Sequence, residues 1–341
     1  MRRERRRGFT LVELLVVIAI IGALMAVLVP ALAKARAASY AIKCSSNLRS
    51  IGQGILMYVA ENKGTFPAAY IYVGQKFVGG EQTPVDPTSG YIHWSSYLYK
   101  RSGGAEVPES EFRKLNGWDM FTCPAIERGG LPPANTYDEN HDAGQQNDVA
   151  GVIDRQAPRL AYTVNEAIMP RNKFTKSWPN QTRTYQYVRL SSIKAPNNVI
   201  LATEFVDDWH IVTEDTGESA AAGGSPPCKS HRPVHGFKGI LGDLDMHQAP
   251  TGAAVGRVVK GYQILKATKD DLIPHMTAAQ ALASKTRLNW VGRNHSGKSN
   301  FVYADGHVET KTIEETLAPK FQWGTTFYSL NPHGDVEPTE F

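Results

Sequence analysis

From Phe9 to Val29 the chain is apolar with Glu13 as its one charged position, and from Pro30 onward the apolar positions thin to a stripe. In that second stretch Leu32, Ala35, Ile42, Leu48, Ile51, Ile55 and Val59 recur at spacings of three, four or their sums, while Lys34, Arg36, Lys43 and Arg49 take other faces. This is the period of an amphipathic helix. Joined, the two stretches predict one helix over residues 9–62, roughly 80 Å long at ~1.5 Å per residue. Pro30 is expected to kink it or loosen one turn, because proline lacks the amide proton and crowds the preceding turn. Gly64 and Pro67 supply the stop. Gly52 and Gly54 each weaken the distal half by about 1 kcal/mol relative to alanine. They read either as close packing against the rest of the protein or as tolerated glycines.

Beyond residue 62 the long helical period gives way to short strand-like runs divided by Pro, Gly, Asn and Asp. Strands are predicted at 68–78, 157–164, 184–190, 198–205, 300–311 and 322–330. Short helices are predicted at 95–101, 109–115 and 277–285, and long loops at 79–90, 124–156 and 214–227. The fold class is therefore α+β: a long N-terminal helix followed by a large β-rich head over 63–341.

The apolar run of residues 9–29 reaches about 31 Å as a helix, enough to cross a hydrocarbon core of about 30 Å. Its flanks give the orientation. Residues 1–8 hold five Arg and one Glu, which accounts for the whole formal charge of +4. Such a leader stays cytoplasmic, so the span is expected to be a single pass with its N-terminus inside and the head exported. The remainder of the chain is neutral, which removes the main support for nucleic-acid binding. A secretory signal peptide also fits a basic start and an apolar run, with Ala31-Leu32-Ala33 as its cleavage site, and so does a plain anchor. Neither accounts for Glu13, since a carboxylate costs about 2.5–3.5 kcal/mol at the centre of a membrane helix.

The run Gly8-Phe9-Thr10-Leu11-Val12-Glu13 resembles the N-terminus of type IV pilin-like proteins, the prepilins of pseudopilin kind. The resemblance implies cleavage after Gly8 by a prepilin peptidase that also N-methylates Phe9. It places Glu13 fifth and Pro30 twenty-second in the mature chain, and makes Glu13 the assembly residue, paired with the amine of a neighbouring subunit. A second likeness lies in the head. His295, nine residues, then Asp305-Gly306 resembles the H-x9-D-G signature of a subgroup associated with prepilin processing, with Cys44, Asn47-Leu48-Arg49 and Cys123-Pro124 as softer support. The likeness is continuous over residues 8–67 and confined to motifs beyond, and the segment 206–290 departs from the shorter members. Export to an oxidising compartment predicts a Cys44–Cys123 disulfide with Cys228 free, the alternative being two buried thiols. The element at 295–311 is expected to be a β-hairpin with a type I′ turn at Asp305-Gly306 and a structural His295 bracing a neighbouring strand.

Other chemistry competes with this frame. Cys228, His231, His235, Asp243, Asp245 and His247 have metal-ligand spacing, yet three glycines, one proline and the adjacent Arg232 make the segment read as a surface loop. No metal or other cofactor is expected. The sequence has no G-x-S-x-G elbow, H-E-x-x-H helix, P-loop or dinucleotide fingerprint, so no catalytic residue is assigned and the protein is expected not to be an enzyme. Trp94, Trp118, Trp178, Trp209, Trp290 and Trp323 are expected in packing rather than on a glycan-binding face. The resulting expectation is a structural subunit of a pseudopilus or pilus-like fibre of a type II secretion or related system. Its partners would be the prepilin peptidase and N-methyltransferase, other pilin-like subunits and the inner-membrane secretion platform. The alternative is an anchored binding protein for carbohydrate or surface layers, or less so an anchored hydrolase, exported by a pilin-type signal.

Overall fold

The computed structural model describes residues 10–72, 77–78, 81–82, 90–98, 117–135, 144–145, 153–169, 188–213, 227–240, 264–277, 279–280, 284 and 286–324. The leader, Gly8 and Phe9 lie outside them, as do the predicted helix at 109–115 and Asp243, Asp245 and His247.

Helix α1 spans Leu11–Glu61 and passes through Pro30 without interruption. Thr10 caps its start: the hydroxyl receives the Glu13 amide at 3.3 Å, and the Glu13 carboxylate receives the Thr10 amide at 2.9 Å. The helix ends as Lys63 and Gly64 turn to positive φ, with the Gly64 amide reaching back to the Val59 carbonyl at 2.9 Å. Burial divides the rod unevenly. Every residue from Thr10 to Ser39 is exposed, and the first buried position is Cys44. The predicted amphipathic stripe is thus two regions, since Leu32 and Ile42 stand free while Leu48, Ile51, Ile55 and Val59 are enclosed.

The head follows as β1 (Tyr70–Tyr72), β2 (Phe77–Val78), β3 (Glu81–Gln82), β4 (Gly90–His93), α2 (Trp94–Leu98), β5 (Ile153–Arg155), β6 (Tyr162–Val164), β7 (Ile200–Glu204), β8 (Phe237–Ile240), β9 (Ile264–Lys266), β10 (Ser299–Tyr303) and β11 (Val308–Lys311). Its central sheet has the order β11-β10-β7-β6 with every pair antiparallel. A smaller sheet joins β1, β4 and β5, the last pair parallel, and β2-β3 and β8-β9 form two ribbons. The distal half of α1 packs on β10, β11 and β7 and against α2 and the 3-10 turn Trp118–Phe121. Strands β7 and β10 are buried at every position, their apolar parts being Ile200-Leu201-Ala202 and Phe301-Val302-Tyr303 and their polar parts Thr203-Glu204 and Ser299-Asn300.

Several expected elements differ. Residues 184–187 lie outside the described residues, and the rest of that predicted strand is a single bridge from Arg189 to Thr65 followed by a 3-10 turn, Leu190–Ser192. Residues 322–324 are irregular, and at 277–285 the described helix is confined to residues 279–280. The loop expected over 124–156 contains the 3-10 turn Glu127–Gly129 and strand β5. Segment 227–237 is not a surface loop. Cys228, His231, Arg232 and His235 are buried there, because β8 and its approach run against the core instead of around it.

Candidate functional site

Two constellations carry the chemistry of the chain, one at the membrane end of α1 and one where its distal half meets the head. At the membrane end, Glu13 sits in the first turn of α1, where its carboxylate also accepts the Thr10 hydroxyl at 2.7 Å. The local sequence dictates this: a threonine followed three residues later by a glutamate satisfies two of the amides that a helix start leaves unpaired. The surrounding side chains, Leu11, Val12, Leu14, Leu15 and Val16, are all exposed. Glu13 is thus a carboxylate ringed by apolar surface.

In the head, α1 is clasped to the segment that follows Trp118. Cys44 and Cys123 form a disulfide with a Cα separation of 5.3 Å. One turn on, Asn47 donates to the carbonyls of Asp119 and Thr122 at 3.3 and 2.8 Å. The Tyr162 hydroxyl lies 3.2 Å from the Cys44 carbonyl oxygen and 3.3 Å from that of Thr122, and burial together with the nearby Glu204 charge raises its pKa. Three independent ties therefore join the helix, the 118–123 segment and β6. Cys228 is free and buried, and burial pushes its thiol up to about 12, so it remains protonated.

His295 faces Glu204, at the end of β7, with Nε2 and Oε1 2.9 Å apart. The Glu204 carboxylate is fully buried and saturated: Asn300 donates to Oε1 from its side chain at 2.9 Å, and Oε2 receives the Asn300 amide at 3.0 Å and the Ser299 hydroxyl at 3.2 Å. Four donors on two oxygens meet the requirement for a carboxylate taken out of water. Thr310 then donates to the Asn300 side-chain oxygen at 2.6 Å, which carries the network from β7 through β10 to β11.

Asp305 is elsewhere, at the hairpin tip, where it pairs with His307 at 2.6 Å. The hairpin itself forms, but its turn is not type I′. Gly306 has φ +92 while Asp305 does not enter the positive region, and the bonds Gly306 N–H to Tyr303 O and Tyr303 N–H to His307 O enclose a three-residue loop, Ala304 to Gly306. That is a type I turn closed by a left-handed glycine. The positive-φ pair lies instead at Ser296-Gly297, φ 55 and 82, between His295 and Lys298, which exchange two backbone bonds. This tight turn aims His295 inward at β7. The two ends of the H-x9-D-G element thus do different local work and do not touch.

Sequence reasoning misses Glu204, although a lone acid closing the apolar run Ile200-Leu201-Ala202-Thr203 is itself the signal. It also misses a second buried pair, Arg287 with Glu166 at 3.2 Å; Arg287 lies over the Trp290 ring as well. His231 packs between Tyr70 and Tyr91, ring centroids 4.8 and 4.2 Å away, in an aromatic environment rather than a ligand cluster with Cys228 and His235. His93 is likewise interior. Its Nδ1 meets the Ser95 hydroxyl at 2.8 Å, and burial depresses its pKa well below the ordinary value. Trp94, Trp118, Trp290 and Trp323 are buried, Trp209 is half-buried beside His210, and Trp178 lies outside the described residues.

Comparison with known proteins bears on the membrane end. Residues 3–29 match the family model described as the prokaryotic N-terminal methylation motif. No curated protein and no solved structure matches the chain. The interval contains Gly8, Phe9 and Glu13 and closes at the end of the apolar run. The chain therefore carries a prokaryotic N-terminal methylation motif followed by one helix long and apolar enough to cross a membrane, consistent with the prepilin-type, pilin-like family.

Proposed function

We propose that this chain is a structural, non-catalytic subunit of a pseudopilus or pilus-like fibre of a type II secretion or related system. A prepilin peptidase cleaves after Gly8 and N-methylates Phe9, the mature helix enters the inner membrane, and the head lies outside. The observation that carries the reading is the bare half of α1. It bears the methylation motif, and residues 10–39 are exposed throughout, including the segment beyond any single membrane crossing. A plain anchor needs only the crossing, whereas apolar positions such as Leu32 and Ile42 call for neighbouring helices as their second environment.

Glu13 supplies the register. Its carboxylate caps the helix in the single chain, and in a bundle it can pair with the Phe9 amine of a subunit displaced by about 6 Å, four residues of rise. Neither charge then stays unpaired in hydrocarbon. The partners that follow are the prepilin peptidase, other pilin-like subunits and the inner-membrane platform on which the fibre grows.

Mass spectrometry of the mature N-terminus is the first test. N-methylated Phe9 is expected; a start at Lys34 would mean a signal peptidase, and a retained Met1 a plain anchor. Glu13→Val should then leave cleavage largely intact yet exclude the variant from fibres formed with the wild-type chain. Normal co-assembly of Glu13→Val would remove the register argument.

A further inference from the structure

The buried clasp of the head contains more donor chemistry than a disulfide needs. The Sγ atoms of Cys44 and Cys123, a carboxylate oxygen of Glu204 and a ring nitrogen of His295 all lie within 4.8 Å of one another, and all four residues are buried. They come from α1, the segment after the 3-10 turn Trp118–Phe121, β7 and the turn before β10. Two thiolates, one imidazole and one carboxylate form a set that suits a tetrahedral, borderline-soft divalent ion.

We propose that the clasp has a second closed state, in which the dithiol form binds one Zn²⁺-class ion through Cys44, Cys123, Glu204 and His295. Metal–ligand bonds of about 2.0–2.3 Å place tetrahedral ligand atoms about 3.3–3.8 Å apart, so the widest pairs must close by about 1 Å while the two sulfurs, released from their bond by reduction, part to the same spacing. The surroundings favour that small movement. Asn300 and Ser299 hold Glu204 in place from behind, and would remain as outer hydrogen bonds that orient a carboxylate ligand. The His295 side chain, 4 % exposed, is the one member with an edge toward solvent and hence the point of entry.

The chemistry balances with an external dithiol as reductant. That dithiol is oxidised to its own disulfide, the Cys44–Cys123 bond breaks, and each sulfur takes one electron and one proton. A divalent ion then displaces both thiol protons to solvent, and the Nε2 proton that His295 gave to the Glu204 bond is also released to solvent while Nδ1 carries the ring's one remaining proton, so that the neutral imidazole binds through Nε2. The bond from Nε2 to Glu204 is exchanged for two bonds to the same ion. Disulfide and metal are thus alternative closures of one clasp, and each ties the helix to the head.

The test uses the full chain in detergent micelles with Cys228→Ala, which removes the other thiol. The protein is reduced with dithiothreitol, desalted under nitrogen and titrated with Co²⁺. Expected are one Co²⁺ per chain with a thiolate charge-transfer band and tetrahedral visible bands, displacement by Zn²⁺, and no such spectrum from the oxidised protein. His295→Ala and Glu204→Gln should each weaken Co²⁺ binding at least tenfold, and Zn²⁺ should raise the thermal midpoint of the reduced chain. An identical spectrum from the oxidised chain, or undiminished binding in both variants, would overturn the proposal. So would a reduced chain that is unfolded and that Zn²⁺ does not refold.

Discussion

One helix in this protein lives in two environments, and the boundary falls between Ser39 and Cys44. On the membrane side Gly22 has nothing within 4 Å of where a β-carbon would stand, whereas on the head side a β-carbon on Gly52 would come 2.6 Å from a methyl of Val302. The proximal half is exposed on all faces and, as far as Val29, apolar on all of them but for Glu13; the distal half is apolar on one face and buried there. The first half has no intramolecular reason to be apolar, so its sequence is suited to lipid and, under the function proposed above, to other subunits. The second half is written for β10. Each large side chain fully enclosed there contributes about 1.5–3 kcal/mol of gross apolar burial, before the entropy of ordering it is subtracted.

Matched truncations on the two sides should separate these roles most widely. Leu48 is 0 % exposed and Leu24 is 58 % exposed on the same helix. Leu48→Ala leaves a cavity in a packed core and is expected to cost the head about 2–5 kcal/mol, while Leu24→Ala should change head stability by less than about 0.5 kcal/mol. Chemical unfolding of the full chain in micelles, followed by near-ultraviolet circular dichroism of the buried aromatics, reads the difference. Equal losses from the two would mean that the proximal half also packs on the head.

The glycines give a smaller contrast with opposite signs. Gly52→Ala must push Val302 off its position on β10 and is expected to destabilise the head by about 1–3 kcal/mol. Gly22→Ala meets no neighbour and should strengthen the helix by up to about 1 kcal/mol. Gly54 is the intermediate case, since a β-carbon there would meet Leu98 at an ordinary 3.5 Å. Thermal melts of the three alanine variants should therefore rank Gly52 lowest and Gly22 highest, and a reversed order would deny that close approach to β10 is why position 52 lacks a side chain.

What sequence reveals here follows the range of the interactions involved. The helix is legible nearly to its last residue because its period and its stop, Gly64 with Pro67, are local. The hairpin of β10 and β11 is legible for the same reason, but its turn type is not, because Asp-Gly is compatible with two loop lengths and only the pairing of Tyr303 with His307 selects between them. Glu204 escapes a linear reading because its meaning lies 91 positions away in His295. The segment 227–237, with Pro227, Pro233 and Gly236, has the composition of a solvent-exposed loop, and tertiary packing overrides that composition. Long-range partners decide burial, and the chain does not display them in order.

Acid should divide the two halves once more, by the smallest margin. Arg293, two residues before His295, donates to both oxygens of Glu314 at 3.1 and 2.7 Å, joining that turn to the short helix after β11. The Arg293 bonds are the main reason that the Glu314 carboxyl lies below its ordinary pKa, with burial opposing them. A carboxylate lowered on folding stabilises the folded state at pH values above its unfolded pKa of about 4.3, and that contribution fades as pH falls through the folded value. The side chains remain 23 % and 30 % exposed, so solvent screening limits the pair to about 1 kcal/mol. Glu314→Gln should therefore lower head stability by about that amount at pH 7 and by progressively less in acid, until variant and wild type converge. Among the described residues of the proximal half no carboxylate is held by an arginine, so the far-ultraviolet helical signal of residues 10–39 should outlast the near-ultraviolet signal of the head as pH falls. A wild-type minus variant difference that stays constant from pH 7 to strong acid would show that Glu314 acts through packing and not through its charge.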